Sequence, residues 1–202
     1  MKKIALLLLL TLFTHNLNAK KLERSINVYH AQGIHNSLKY IVPETLGGDL
    51  NFQDTYYAGI SYTQLTHQYE MNEGESALQF GFELEIGKHY GSIQQVEELV
   101  AFYFIKYAGL FNPKSLMNVD ITFGEGLSYT FGEPTFDDDA FDEPGVKYDL
   151  LNHFLLDFDV YLNEYDNVKL FFRIHHRCGI YGLIAPSNVG SSFWGTGLRY
   201  LF

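Results

Sequence analysis

The sequence predicts an all-β fold, an eight-stranded antiparallel transmembrane β-barrel, and three observations carry that prediction. Apolar and polar residues alternate with period two over several long segments, the pattern of strands with one apolar face. The polar positions of the clearest segment hold carboxylates and glycines, which suit a crowded polar barrel interior better than a solvated sheet face. The chain ends on an every-second-residue series, Trp194, Thr196, Leu198, Tyr200 and Phe202.

The elements follow in order. Lys2 and Lys3 precede an apolar run from Ile4 to Phe13, and Leu17-Asn18-Ala19 fits a small-residue cleavage site. The run is well short of the roughly 20 residues of a spanning helix. Residues 1–19 therefore read as a secretory signal and residues 20–202 as one outer-membrane β-barrel domain. No later segment is long and apolar enough for a membrane helix, which leaves a barrel as the membrane option. Composition agrees: 16% aromatic residues, with 15 Tyr and 17 Phe, stand beside 18 Gly. Aromatic girdles around a polar interior produce that mixture. The net charge of -10 excludes a basic nucleic-acid or anionic-lipid footprint. With 1 Cys no intramolecular disulfide forms, and Cys178 is a free thiol.

A first strand is expected from Arg24 to Gln32, and a weaker ribbon at Tyr56, Ala58, Ile60 and Tyr62 gives a second. In the clearest ribbon Leu78, Phe80, Phe82, Leu84 and Ile86 oppose Gln79, Gly81, Glu83, Glu85, Gly87 and His89. Glu97 to Ala108 is aromatic on both sides, so it reads as a strand of undecided facing. Asn118 to Phe123, Asn152 to Leu162, Val168 to His175 and Ser192 to Phe202 complete the count. Between them lie turn-rich segments: Pro43 to Asp54, Met71 to Ser76, Asn112-Pro113 and an acidic run from Glu133 to Gly145. That run has no matching bases and reads as a solvated loop tip; its oxygen spacing matches no calcium loop.

One segment breaks the pattern. Continuing Val168, Leu170, Phe172 and Ile174 along one face brings His176 and Cys178 onto the lipid side. Arg173, His175 and Arg177 point to the lumen, where Glu83, Glu85, Asp157 and Asp159 are expected to neutralise them. An outward imidazole two residues from a thiol is the minimal geometry of an activated nucleophile. Its substrate would come from the membrane, an ester or acyl chain of a lipid. The bland alternative is a pair of rim histidines hydrogen-bonded to their neighbours. Adjacent residues on a strand face opposite ways, so His175 and His176 are poor joint ligands, and neither a metal nor another cofactor is expected.

The His-x-nucleophile spacing in the penultimate strand, the signal, the strand count and the terminal Tyr-x-Phe resemble the lipid A 3-O-deacylases and related acyloxyacyl-hydrolase-like barrels. The segments Phe123 to Tyr129, Leu150-Leu151-Asn152 and Arg173 to Gly182 resemble a branch near that family in which serine follows His-His-Arg. The resemblance implies a Ser-His-Glu triad on the outer barrel wall that cuts an ester-linked acyl chain from lipopolysaccharide. Carried over, His176 matches the general base, and Cys178 falls at the serine nucleophile. Gly179 takes the place of an oxyanion-hole asparagine, so only its backbone N–H could serve. No Asp or Glu follows Cys178, which removes the orienting acid, and Glu125 or Asn188 from elsewhere are the candidates for that third group. The final series also resembles the C-terminal strand signature of outer-membrane proteins, which makes the barrel-assembly machinery an expected partner through Phe202. Two other functions stand beside a lipid hydrolase. One is a structural or adhesive barrel whose loops bind partners; the other is a soluble lipocalin-like carrier, which would reverse the facing of Glu83 and Glu85.

Overall fold

A sheet in hydrocarbon has no water to satisfy its edge groups, so it has to close on itself. The computed structural model describes residues 23–202 apart from 36–37, 73–74, 112–115, 141–147, 181 and 187–188. Its strands are β1 (Arg24–Ile34), β2 (Phe52–Met71), β3 (Ser76–Gly91), β4 (Glu97–Ala108), β5 (Met117–Phe131), β6 (Leu150–Leu162), β7 (Val168–Cys178) and β8 (Gly190–Leu201). They form a closed barrel in sequence order. β1 returns to β8 in an antiparallel ladder from Ser25↔Leu201 to Ile34↔Ser192. The proposed signal, residues 1–19, lies outside the described residues.

Facing follows the alternation. Ile26, Val28, Ile60, Leu84, Ile86, Phe123, Leu170 and Leu198 are exposed on the outside. Tyr90, Tyr129 and Phe131 ring the end with the longer connections; Tyr69, Tyr200 and Phe202 ring the end with the short turns. Glu83 and Glu85 are 2% and 1% exposed, inside. That facing removes the lipocalin-like alternative. On β4 the undecided facing resolves: Glu98, Val100, Phe102, Phe104 and Lys106 are buried inward.

Large inward side chains require small ones opposite. Gly59 and Gly87 pair across β2 and β3. A Cβ on Gly87 would sit 2.0 Å from the Tyr57 hydroxyl, and one on Gly59 2.6 Å from the Tyr29 ring. The glycines on the polar face thus make room for two tyrosines, both of which donate to Glu85 Oε1, at 2.7 Å from Tyr29 and 2.6 Å from Tyr57.

The centre of the lumen is ionic. Arg173, fully buried, makes a bidentate pair with Asp157 at 2.8 Å through Nε and Nη2. Its Nη1 also reaches Glu85 at 2.7 Å and Glu83 at 3.0 Å. Arg199 continues the network to Asp159 at 2.6 Å and Asp157 at 2.8 Å. Nearer the short-turn end Lys169 pairs with Asp120 at 2.7 Å.

Four features depart from the sequence reading. β2 is 20 residues long where only Tyr56 to Tyr62 was legible, because its outer half carries polar residues beyond the apolar belt. β5 continues from Phe123 to Phe131, with Gly124 lying under the Phe102 ring where a Cβ would come within 2.7 Å. The segment expected as turn from Pro43 overlaps a helix, α1 (Leu38–Gly47), which ends where Gly48 turns into the left-handed region at φ 80°. Lastly, the acidic run is not wholly solvated. Asp137, on a short 3₁₀ helix (Thr135–Ala140), is buried and pairs with Arg177 Nη1. Burial raises the Asp137 carboxyl above the usual aspartate range while Arg177 pulls it down. Arg177 therefore finds its carboxylates in Asp137 and, at 3.6 Å, Glu98, rather than in Glu83 or Glu85.

Breaking a buried ion set strands its remaining charges, which costs about 3–5 kcal/mol. Arg173→Met leaves Glu83, Glu85 and Asp157 without their shared cation. Its denaturant midpoint in lipid vesicles is expected to fall by that equivalent, against a change within about 0.5 kcal/mol for exposed Arg24→Met. Equal midpoints would remove the ionic core from the account of stability.

Candidate active site on the outer wall

The parity that sends Arg173, His175 and Arg177 inward sends Ile174, His176 and Cys178 outward. Cross-strand register then sets their neighbours. Phe154, His176 and Ser192 stand in one row across β6, β7 and β8; one step toward the long-loop end, Asn152, Cys178 and Gly190 form the next. Four polar side chains, from Asn152, His176, Cys178 and Ser192, thereby meet on three neighbouring strands of the outer wall.

Their contacts are specific. His176 Nδ1 lies 2.8 Å from Ser192 Oγ. Ser192 is 4% exposed and Asn152 5%. Asn152 Nδ2 donates toward Cys178 Sγ at 3.8 Å. Among the described residues the thiol's hydrogen-bond partner is Asn152, and no hydrogen bond joins it to His176. If Nδ1–H donates to Ser192, Nε2 carries the lone pair and is the basic nitrogen.

α1 lies against the same wall. Ile41, fully buried, packs with Ile34, Leu156 and Ile174, all of them outward-facing strand residues. Ile34 stands opposite Ser192 in the β1–β8 register. A helix that packs Ile41 onto the wall thus borders the polar row.

The other sequence candidates fall elsewhere. Glu125 faces outward on β5 but is two strands from His176, with Phe154 between them. Two strand spacings are about 10 Å, too far for it to orient the imidazole directly. Gly179 donates its N–H to Val189 O at 3.2 Å, so that group is already engaged. Asn188 lies outside the described residues. The polar side chains that do touch His176 and Cys178 are those of Ser192 and Asn152. Asn152 was visible in sequence as part of Leu150-Leu151-Asn152; Ser192 carried no sequence signal, because its relation to His176 exists only through the β7–β8 register.

A closed eight-strand sheet with an apolar belt, aromatic rings at both ends and an ionic lumen defines the class of outer-membrane β-barrels. No protein-family model matches the chain, and no curated protein matches it. Among solved structures it is similar to the outer membrane enzyme PagL, with a TM-score of 0.60 at 9% identity, covering 87% of this chain and 98% of that one. It is also similar to the N-terminal β-barrel domain of OprF from Pseudomonas aeruginosa, with a TM-score of 0.46 at 9% identity over 89% and 97% of the two chains. Neisserial surface protein A gives a TM-score of 0.46 at 14% identity over 92% and 99%. At these identities the likeness is one of fold.

Placing a charge at residue 41 should release α1. Ile41→Asp is expected to speed trypsin cleavage after Lys39 several-fold over the wild-type chain while the barrel keeps its heat-modifiable mobility on gels. An unchanged cleavage rate would show that Ile41 does not hold the helix to the wall.

Proposed function

We propose that the protein is an outer-membrane hydrolase of ester-linked acyl chains in a membrane lipid, exported by its N-terminal signal and working from the polar row on its outer wall. The observation that carries this reading is the Ser192–His176 hydrogen bond beside an outward thiol and its Asn152 partner. Polar groups facing lipid are costly unless near the interface. Four of them gathered on neighbouring strands, with a basic nitrogen left over, form a constellation with a chemical use.

In the proposed reaction His176 Nε2 takes the Cys178 proton, and Sγ forms a bond to the ester carbonyl carbon. Asn152 Nδ2 donates to the developing oxyanion, the alcohol leaves with the proton held by the imidazolium, and water then cleaves the thioester to release the fatty acid. Ser192 occupies the position on Nδ1 that an acid holds in a Ser-His-Asp triad, fixing ring orientation and tautomer. Thiol and imidazole, on one face two residues apart, come into reach when substrate is bound, since catalytic hydrogen bonds are often long before that. The fold shared with the outer membrane enzyme PagL and the resemblance to lipid A deacylases make lipopolysaccharide the first substrate to try.

A second reading rests on the same hydrogen bond: the hydroxyl, not the thiol, touches the imidazole, which would make Ser192 the nucleophile. Variants separate the two. With purified barrel in detergent, lipopolysaccharide and a diacyl phospholipid, fatty acid release is followed by mass spectrometry. Cys178→Ala and His176→Ala are expected to lower it by at least about 10²-fold, Asn152→Ala by about 10²–10³-fold, and Ser192→Ala by a smaller factor. Loss in Ser192→Ala with Cys178→Ala unaffected favours the serine. No release from either lipid by the wild-type barrel leaves a structural or adhesive barrel as the function.

A further inference from the structure

We infer that the lumen holds a buried divalent transition-metal site of the zinc type, built from Glu98, His153 and His175 on β4, β6 and β7. One ligand atom from each of these residues lies within 4.8 Å of the other two, and all three side chains are buried. Zinc takes His nitrogen and carboxylate oxygen at about 2.0–2.2 Å, and three such ligands with an open fourth position make a familiar set. Tetrahedral donors stand about 3.3 Å apart, so the three side chains have to close by roughly 1 Å around the ion.

The hydrogen bonding around the three residues points to a cation. His153 is fully buried, and neither of its ring nitrogens has a partner. Its ring centroid is 4.5 Å from that of His175 and 5.1 Å from Phe102. A buried imidazole with both nitrogens unmatched is a costly residue, which coordination would relieve. His175 supplies the second indication. Tyr29 donates its O–H to Glu85 at 2.7 Å, so at 2.9 Å from His175 Nδ1 it accepts the ring N–H. Nε2 then faces Glu98 Oε1 at 3.2 Å. Two lone pairs at that separation repel unless a second proton or a metal ion lies between them. A ligating histidine ordinarily hands its other N–H to an oxygen partner in this way.

The charge balance gives an independent argument. Among the described residues the buried charged side chains are seven carboxylates and five Lys or Arg. Carboxylates thus outnumber Lys and Arg side chains in the interior, an excess of acidic groups that a bound cation would offset. Outer contacts are in place as well. Ser128 donates to Glu98 Oε1, and His89 Nε2 lies 2.6 Å from Oε2. Arg177, 3.6 Å from the same carboxylate, also pairs with Asp137. Donors of two nitrogens and one oxygen suit zinc among the common ions, and oxygen-preferring magnesium and calcium poorly. The site would staple three strands together behind the wall that carries His176, and it stands whether or not that wall is catalytic.

The test uses the full mature chain, untagged, folded in detergent. After incubation with Zn²⁺ or Co²⁺ and removal of free metal, about one ion per folded chain is expected by elemental analysis, with the visible absorption bands of four- or five-coordinate Co²⁺. His153→Leu and Glu98→Gln, each checked for folding by heat-modifiable mobility, should lose both signals. Zn²⁺ should also raise the wild-type unfolding midpoint relative to a chelator. A folded wild-type barrel that takes up no ion, or one whose midpoint ignores zinc, overturns the proposal and leaves the second proton on His175 as the explanation. Equal uptake by wild type and a folded variant overturns it too, as an adventitious ion only.

Discussion

The Arg173 guanidinium is the interaction on which the rest of the barrel depends. It is a fully buried cation, and Glu83, Glu85 and Asp157 converge on it from β3 and β6. Three carboxylates in one low-dielectric space cannot all stay ionised without such a partner. Through Asp157 the network passes to Arg199 on β8, and from Arg199 to Asp159 and Asn27 on β6 and β1. Strands distant in the chain are thus joined through the middle of the barrel as well as around its wall.

That core also fixes what lies outside. Side-chain parity on a strand is binary, so holding Arg173 in the lumen dictates that Ile174, His176 and Cys178 face out. A slip of β7 by one residue would put a histidine and a thiol among the lumen charges and three cations against lipid. The cost of that slip is far larger than the cost of a polar row near the interface, which is roughly 0–1 kcal/mol per residue. The ionic lumen therefore enforces the geometry of the outer row without touching it. His175 and His176 show the division most plainly, one bonded to Tyr29 inside and the next to Ser192 outside.

Much of this is legible in the sequence. Wherever polar and apolar residues alternate cleanly, as from Leu78 to His89, strand, facing and lumen membership follow from period two alone. β4 was opaque because Phe102 and Phe104 face the lumen while Tyr103 faces out, and an aromatic on both sides carries no parity signal. α1 was masked by Pro43 and by Gly47-Gly48, which read as turn although the glycine merely ends the helix. Asp137 looked solvated because its base, Arg177, lies 40 residues away. Ser192 beside His176, and His153 beside His175 and Glu98, are products of register and closure. Which residues share a row is set by pairings such as His176↔Ser192 and by the curvature that brings β4 across the lumen to β7, and neither is written in any local pattern.

The absence of an acid after Cys178 reads differently once the site is on the outer wall. An ionised carboxylate placed to orient His176 there costs more to desolvate than a neutral hydroxyl does. A hydroxyl in the same place, which the pairing of β7 with β8 sets 2.8 Å from the ring, would serve the proposed site at lower cost. The weaker polarisation it provides matters less to a thiol than to a serine hydroxyl, because cysteine ionises at much lower pH and needs less help from its base. Under the proposed reaction Cys178 and Ser192 are thus mutually consistent: the one would be a nucleophile that tolerates a neutral orienting group, the other an orienting group that the lipid-facing wall tolerates.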